Sequence, residues 1–110
     1  MQERRQHPRQ STPWPLDVHD LSSGLRLGRI ADLSNDGFMI FSETEISSDC
    51  VIQCQISCSN RAAEIEEIHL GADCLWSRPG AGGQHGWAGF HIIDIADDQM
   101  QRLTDLLERL

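Results

Sequence analysis

The sequence contains no hydrophobic run that approaches the roughly 18 residues needed to cross a bilayer, which excludes a transmembrane helix. The charged start Met1-Gln2-Glu3-Arg4-Arg5 leads into polar residues and proline, so no secretory signal peptide is expected. Four cysteines in 110 residues are too few for a disulfide scaffold, and in an unexported chain they are expected to be reduced thiols. We therefore expect a cytoplasmic protein with no membrane insertion.

Lysine is absent, so all nine basic residues are arginines. Arginine suits two-pronged recognition of phosphates and guanine edges, although a genome biased toward arginine codons would give the same composition. Residues 1–30 carry five arginines and three acids, net +2, whereas residues 31–110 carry four arginines and fourteen acids, net −10. Long nucleic acids and anionic membranes are excluded as partners because most of this surface would repel them. A small anion held at one basic cluster is compatible with the charge.

Motifs for catalysis are also absent. The sequence has no Gly-x-Ser-x-Gly elbow, no P-loop, no dinucleotide-binding glycine fingerprint and no His-x-x-x-His pair. On a strand, Cys50, Cys54 and Cys58 would stand about 13 Å apart in succession, too far to share a zinc ion with ligands at about 2.3 Å. A helix would bring them together, but the clean alternation around them favours a strand. We predict no enzyme activity, no metal site and no cofactor, with structural thiols.

Alternating apolar and polar residues predict about six short strands. These lie at 14–19, 25–30, 38–41, 50–58, 68–76 and 86–94. Phe38–Phe41 is expected to be wholly buried, and Trp76 to share a face with Cys74. Residues at every second position of the fourth strand are expected to form one core face: Cys50, Ile52, Cys54, Ile56 and Cys58. After Asp97, a candidate N-cap, leucines recur at spacings of three and four, which predicts an amphipathic helix. We predict one all-β domain over 1–110: a flexible Arg-rich arm at 1–13, a small six-stranded antiparallel β-barrel at 14–95 and a C-terminal α-helix at 97–110.

Two segments are candidates for a binding site. Arg4-Arg5-Gln6-His7-Pro8-Arg9 is a basic tail, and Asp32-Leu33-Ser34-Asn35-Asp36-Gly37 is rich in turn formers, with a glycine expected to supply a positive φ. Each has a plain reading: the first as a solvated basic tail, and the second as an ordinary turn in which Ser34 or Asp32 bonds its own backbone. A hairpin centred on Ser23 would pair residues whose numbers sum to about 46, which sets Asp32 near Trp14 and brings the two segments together. The combination predicts a site that holds phosphates and reads a guanine.

The chemistry of that site follows from its residue types. Guanine presents O6 and N7 to an arginine fork, and its N1 and N2 hydrogens can be accepted by a carboxylate such as Asp32. Phosphates can accept hydrogen bonds from Arg5, Arg9, the Ser34 hydroxyl and backbone amides near Gly37. Charged hydrogen bonds contribute about 1.5 to 3 kcal/mol each. Four or five of them reach the roughly −8 kcal/mol of micromolar binding after the free-energy cost of ordering the arm is subtracted.

These motifs give the sequence a resemblance to the PilZ domain, the bacterial receptor module for cyclic di-GMP. Arg5-Gln6-His7-Pro8-Arg9 matches the family's Arg-x-x-x-Arg, and Asp32 to Gly37 matches its Asp/Asn-x-Ser-x-x-Gly. The stretches Cys74-Leu75-Trp76 and Gly86-Trp87-Ala88-Gly89-Phe90 are similar to later strands of the family, so the resemblance covers nearly the whole chain. Asp36 departs from the pattern, where a second glycine is common.

The resemblance implies a role for each matched residue. Arg5 and Arg9, assisted by Arg4, would grip phosphates and guanine edges. Asp32 would accept from a guanine, Ser34 would bond the ligand and Gly37 would shape the turn. Trp76 would pack against a base, unless it is a plain core residue, and Arg78 is a weaker candidate. The implied function is a cyclic di-GMP sensor that orders its arm on binding and signals to an unidentified downstream protein. The alternative is a PilZ-like protein-protein adaptor with weak or no nucleotide binding.

Overall fold

Seven strands, one short 3-10 turn and one helix form the described part of the chain. The structure, a computed structural model, describes residues 10–11, 14–42, 46–47, 49–78, 80 and 86–110. The elements are β1 (Gln10–Ser11), β2 (Leu16–Asp20), β3 (Arg26–Leu33), β4 (Gly37–Ser42), β5 (Val51–Cys58), the 3-10 turn Arg61–Ala63, β6 (Ile68–Arg78), β7 (Gly86–Asp94) and α1 (Asp97–Arg109).

Strands β2 to β7 close into a six-stranded antiparallel barrel. The order around the barrel is β3-β2-β5-β6-β7-β4, and the ring closes because β3 also pairs with β4. The two residues of β1 add to β3 beyond the end of β2, with Gln10 opposite Leu33 and Ser11 opposite Asp32. The predicted fold class, an all-β barrel with a C-terminal helix, is confirmed.

The β2–β3 hairpin has the predicted register. Asp17 pairs with Arg29 and Val18 with Gly28, and each pair of numbers sums to 46. At the turn, the Gly24 amide donates to the Asp20 carbonyl at 2.7 Å, with Gly24 at φ +76°. This positive φ is one that glycine adopts without steric cost.

The register changes where β2 gives way to β1. Asp32 lies opposite Ser11 rather than near Trp14 as predicted, an offset of three residues. A proline has no backbone N–H to donate to a ladder, and Pro15 interrupts the strand while its carbonyl accepts from the Ser59 amide at 3.1 Å.

One core cluster joins the inside of the barrel to the buried face of α1. Phe38 and Phe90 stack inside with ring centroids 5.0 Å apart. Helix α1 packs against β6 and adds Leu103 and Leu106 to the same buried core cluster. The helix begins at Asp97, so the predicted N-cap is wrong by one residue: Ala96 occupies that position and makes no side-chain cap bond. The acids of the first turn still lie where the helix dipole favours them.

The cysteines are free thiols, but they do not share one face. Cys54 and Cys74 are fully buried, whereas Cys50 is exposed and precedes β5. The prediction that Cys50 faces the core is wrong because Asp49, at φ 58°, starts a bulge. The Asp49 amide donates to the Cys74 carbonyl at 2.8 Å while the Cys74 amide donates to Cys50, so two residues oppose one and the alternation shifts. Burial raises the pKa of the Cys54 thiol to about 12 and also raises that of Cys74.

Candidate functional site

The turn between β3 and β4 is held by its own serine. Ser34 is 2% exposed, and its hydroxyl lies 2.5 Å from Asp36 Oδ1 and 3.2 Å from the Gly37 carbonyl, either of which can accept its proton. The Ser34 amide donates to the Gly37 carbonyl at 2.9 Å, and the Ile92 amide donates to the Asp36 carbonyl at 2.8 Å. The turn is therefore tied both to itself and to β7.

Gly37 does not have the backbone conformation predicted for it. Of the glycines in the described part of the chain, Gly24 alone has a positive φ. Gly37 instead begins β4, opposite His91 of β7. The tight reversal needs no left-handed glycine because the Ser34 side chain and backbone close the turn by hydrogen bonds.

Four residues lie side by side across the outer surface of the barrel. Asp32 of β3 pairs with Met39 of β4, Met39 pairs with Gly89 of β7, and Gly89 pairs with Trp76 of β6. The chain neighbours of Met39 and Gly89 are fully buried, so by the alternation of strands this row faces outward. We call Asp32, Met39, Gly89 and Trp76 the Asp32 row. It places two predicted site residues on one face, about 14 Å apart for three strand spacings.

Trp76 reaches this face because β6 has a bulge. The register shifts between Cys74 and Trp76, so Cys74 points into the core while Trp76 is 36% exposed. The prediction that these two residues share a face is wrong for this reason. The indole lies over Gly89, where an added Cβ would meet Cε2 at 2.5 Å. The guanidinium of Arg78 sits 5.8 Å from the centre of the Trp76 ring.

The N-terminal arginines Arg4, Arg5 and Arg9 lie outside the described residues. The described chain begins with β1, whose Gln10 and Ser11 pair with Leu33 and Asp32. Of the sequence-predicted site residues, the structure brings Asp32, Ser34 and Gly37 together at one turn and places Trp76 on the face that continues from Asp32.

A second outward row of residues runs beside the Asp32 row, and the sequence patterns did not predict it. Arg29 of β3 pairs with Phe41 of β4, Phe41 with Trp87 of β7, and Trp87 with Arg78 of β6. Phe41 is 45% exposed and Trp87 37%, with ring centroids 3.9 Å apart. We call these four residues the aromatic row. The prediction that Phe41 is buried is wrong, and the signal that reveals it is alternation: Phe38 and Ile40 point inward, so Phe41 points outward.

Arg29 belongs to an ion-pair cluster at one end of this row. Asp17 is 8% exposed, and its Oδ1 lies 2.8 Å from Arg26 Nη2 and 3.4 Å from Arg29 Nε. The Arg29 side chain remains half exposed.

One concave region of the described residues lies away from the predicted site. A cavity of about 240 Å³ lies between α1 and the segment before β6, lined in part by Glu64, Asp105 and Arg102. Arg102 is engaged there with Glu66 at 2.9 Å. Within the described ranges, no group of three or more His, Cys, Asp or Glu side chains is placed to hold a metal ion. None of the helices in these ranges has the length and apolar character to cross a membrane.

The fold and the site together define the class of the protein. It is a closed six-stranded antiparallel barrel with a C-terminal helix, and Asp32 and Trp76 lie in one outward row beside β1. The sequence matches the family model of the PilZ domain over residues 3–109, so the chain belongs to that family. The resemblance stated from the motifs is thereby confirmed. No curated protein shows a significant sequence match to the chain.

Solved structures with the same fold include three proteins of similar architecture. The inhibitor of motility MotI/DgrA of Bacillus subtilis has a TM-score of 0.73 at 17% identity, over 97% of this chain and 51% of that one. YcgR of Escherichia coli in complex with c-di-GMP has a TM-score of 0.69 at 21% identity, over 97% and 47%. The K. pneumonia MrkH-c-di-GMP complex has a TM-score of 0.74 at 14% identity, over 96% and 52%. The chain spans about half the length of these proteins.

Proposed function

We propose that this chain is a cyclic di-GMP receptor domain that does no catalysis and whose ligand-bound state is read by a partner protein. Membership of the PilZ family supports this function. Two proteins of the same fold, YcgR and MrkH, form complexes with c-di-GMP. The charge of the chain supports a small anionic ligand in preference to a long nucleic acid, because residues 31–110 carry net −10. We place the protein in the cytoplasm of a bacterium.

One observation carries the proposal: β1 pairs with β3 at Asp32 and Leu33. Arg9 precedes Gln10 by one peptide bond, so covalent geometry alone keeps their Cα atoms about 3.8 Å apart. Arg5 lies four residues before Arg9 in the sequence. An arginine arm that enters here is within reach of the Asp32 row and of the Ser34–Gly37 turn without any change in the barrel.

The proposed roles follow from the chemistry of each group. Arg4, Arg5 and Arg9 donate paired hydrogen bonds to phosphates and to guanine O6 and N7. Asp32 accepts from the guanine N1 and N2 hydrogens. Trp76 offers an exposed indole face on which a base can stack, as aromatic side chains do for purines.

The Ser34–Gly37 turn contributes by its shape. Because the Ser34 hydroxyl is buried and close to Asp36 and Gly37, a direct bond from it to the ligand requires those contacts to break. We therefore assign Ser34 the role of holding the turn, with Gly37 following it into β4. The carboxylate of Asp36 near the phosphates adds repulsion, so we expect modest affinity.

Calorimetric titration with cyclic di-GMP tests the proposal. We expect the wild-type chain to bind, and Arg9→Lys and Asp32→Ala each to lose about 2 kcal/mol, or roughly 30-fold in affinity. Lysine keeps the positive charge but cannot offer a two-pronged donor, and alanine removes the guanine acceptor.

Arg61→Lys and Asp105→Ala are matched controls that lie outside the Asp32 row. Arg61 is in the 3-10 turn whose Ala63 carbonyl accepts from Arg109 of α1, and Asp105 is on α1 itself. Both variants should bind as the wild type does. Equal titration curves for all five proteins would refute the assigned site. A flat wild-type curve would refute ligand binding and favour the adaptor function.

A further inference from the structure

The aromatic row exposes large apolar side chains on the outside of the barrel. Phe41 and Trp87 contact each other and are 45% and 37% exposed. In the adjacent Asp32 row, Trp76 is 36% exposed. Surface apolar residues are common singly, but a contiguous group on neighbouring strands marks a place where another molecule binds.

The composition of this face is that of a protein interface. Tryptophan, phenylalanine, methionine and arginine are enriched in the centres of such interfaces, and lysine and glutamate are depleted. The two rows supply Phe41, Trp87, Trp76 and Met39, with Arg29 and Arg78 at the two ends of the aromatic row. Tryptophan and arginine are also the residues that most often carry the binding energy.

Charge indicates what kind of molecule fits. Residues 31–110 carry net −10, but the aromatic row ends in positive charge on both sides. At one end Arg29, which is paired with the buried Asp17, leaves half of its side chain exposed. At the other end Arg78 is exposed on β6. The apolar centre with two cationic ends is complementary to an apolar side chain flanked by acids.

The distance between the two arginines further defines the segment that would dock there. Arg29 and Arg78 lie on strands separated by three inter-strand steps, or about 14 Å. An extended chain advances about 3.4 Å per residue, so acids four positions apart would span this distance with an apolar residue midway.

We propose that the aromatic row is the surface on which an acidic segment of a partner protein docks, with the pattern acid-x-apolar-x-acid. The inference rests on the proposed function, in which a partner reads the ligand-bound state, and it gives that partner a chemistry and a place. The Asp32 row lies directly beside the aromatic row on the same four strands, so a molecule bound at one borders the other.

Two other occupants fit less well. A second copy bound through the same face by a two-fold axis would bring positively charged row ends against each other. A single-stranded nucleic acid would stack on the aromatics but would be repelled by the acidic remainder of the surface. Both are outcomes of the test.

Selection of random 12-residue peptides displayed on phage against the full 110-residue chain, with and without cyclic di-GMP, tests the proposal. We expect enriched peptides to carry the acid-x-apolar-x-acid pattern. A synthetic peptide of that sequence should bind in fluorescence anisotropy, lose about 30-fold in affinity with Trp87→Thr or Phe41→Thr, and bind more weakly as salt is raised. Threonine suits an exposed strand position, so these variants should fold.

Ile93→Thr is the matched control, because Ile93 is also exposed on β7. It should leave peptide binding unchanged, and all three variants should retain the wild-type calorimetric titration with cyclic di-GMP. Peptides without acids, or peptides that bind the Trp87→Thr variant as tightly as wild type, would overturn the docking proposal. The proposal would also be overturned if the wild type sedimented as a dimer and Trp87→Thr as a monomer. The same holds if a thymidine 20-mer bound the chain more tightly than any selected peptide. If the chain bound peptides of the expected pattern but gave a flat titration with cyclic di-GMP, the result would refute the proposed cyclic di-GMP binding and support the docking proposal.

Discussion

Substitution of Gly89 by alanine tests the packing that presents Trp76. A Cβ at this position would lie 2.5 Å from Cε2 and 2.9 Å from Cζ2 of the Trp76 indole, and closer still to Nε1. Carbon atoms pack best at about 3.5 to 4.0 Å, so the overlap is about 1 Å. Strand β7 is held by β4 on one side and β6 on the other. The indole must therefore move away from the strand.

The expected cost follows from this overlap. Overpacking typically destabilises a protein by about 1 to 3 kcal/mol. Replacement of a strand glycine by alanine offsets about 0.5 to 1 kcal/mol of this, because alanine lowers the conformational entropy of the unfolded chain. We expect Gly89→Ala to lower the free energy of unfolding by about 1 to 2 kcal/mol. For a domain of this size each kcal/mol lowers Tm by roughly 4 °C or more. Displacement of the indole should also weaken cyclic di-GMP binding.

Urea unfolding followed by circular dichroism measures the stability. Trp76 emission, isolated in a background of Trp14→Phe and Trp87→Phe, reports the position of the indole. Gly71→Ala on β6 is the matched control, because its Cβ would meet the flexible Gln53 amide at 3.1 Å and Asp94 Cβ at 3.3 Å. We expect a change below about 0.5 kcal/mol there. Wild-type stability and unchanged Trp76 emission in Gly89→Ala would refute the assigned packing.

Three further predictions concern the fold that supports the site. Gly28→Ala should cost about 3 kcal/mol or more in urea unfolding, because a Cβ there would overlap the main-chain carbonyl of Phe41, which cannot swing away; wild-type stability would contradict this. Ser34→Ala should cost about 1 to 2 kcal/mol through lost hydrogen bonds inside the turn, measured in the same way, and a neutral result would show that the hydroxyl does not hold the turn. Stability should fall as pH rises from about 9 toward 12, because burial raises the pKa of Cys54 from 9.0 to about 12 and the unfolded chain ionises first. The fall, up to about 1.4 kcal/mol per pH unit for one thiol, should be smaller in Cys54→Ala; an equal fall in both proteins would contradict the assignment.

The local pattern of the sequence was sufficient to predict the elements of the barrel. Alternation located the strands, and leucines at spacings of three and four located α1. The hairpin arithmetic gave the pairing of Asp17 with Arg29, because a tight turn fixes the register of the strands on either side. The turn formers from Asp32 to Gly37 were recognised, and the plain reading, in which Ser34 bonds its own backbone, agrees with the structure. The positive φ expected at Gly37 does not, since the hydrogen bonds of the buried Ser34 close the turn without it.

Errors arose where a bulge adds a residue to one strand. At Asp49 and Cys50, and again between Cys74 and Trp76, strict alternation put the wrong side chain in the core. A bulge leaves no composition signal of its own, because it is decided by how the two paired strands fit a closed, twisted barrel.

The sequence by itself determined the fold class, the family motifs and the acidic surface, since these depend on residue type and on spacing within one segment. Only the tertiary structure decided that Asp32 and Trp76 share an outer face and that Phe41 and Trp87 meet between two arginines. These residues come from four strands far apart in the chain, and they become neighbours because β3 pairs with β4 as well as β2 and so closes the ring.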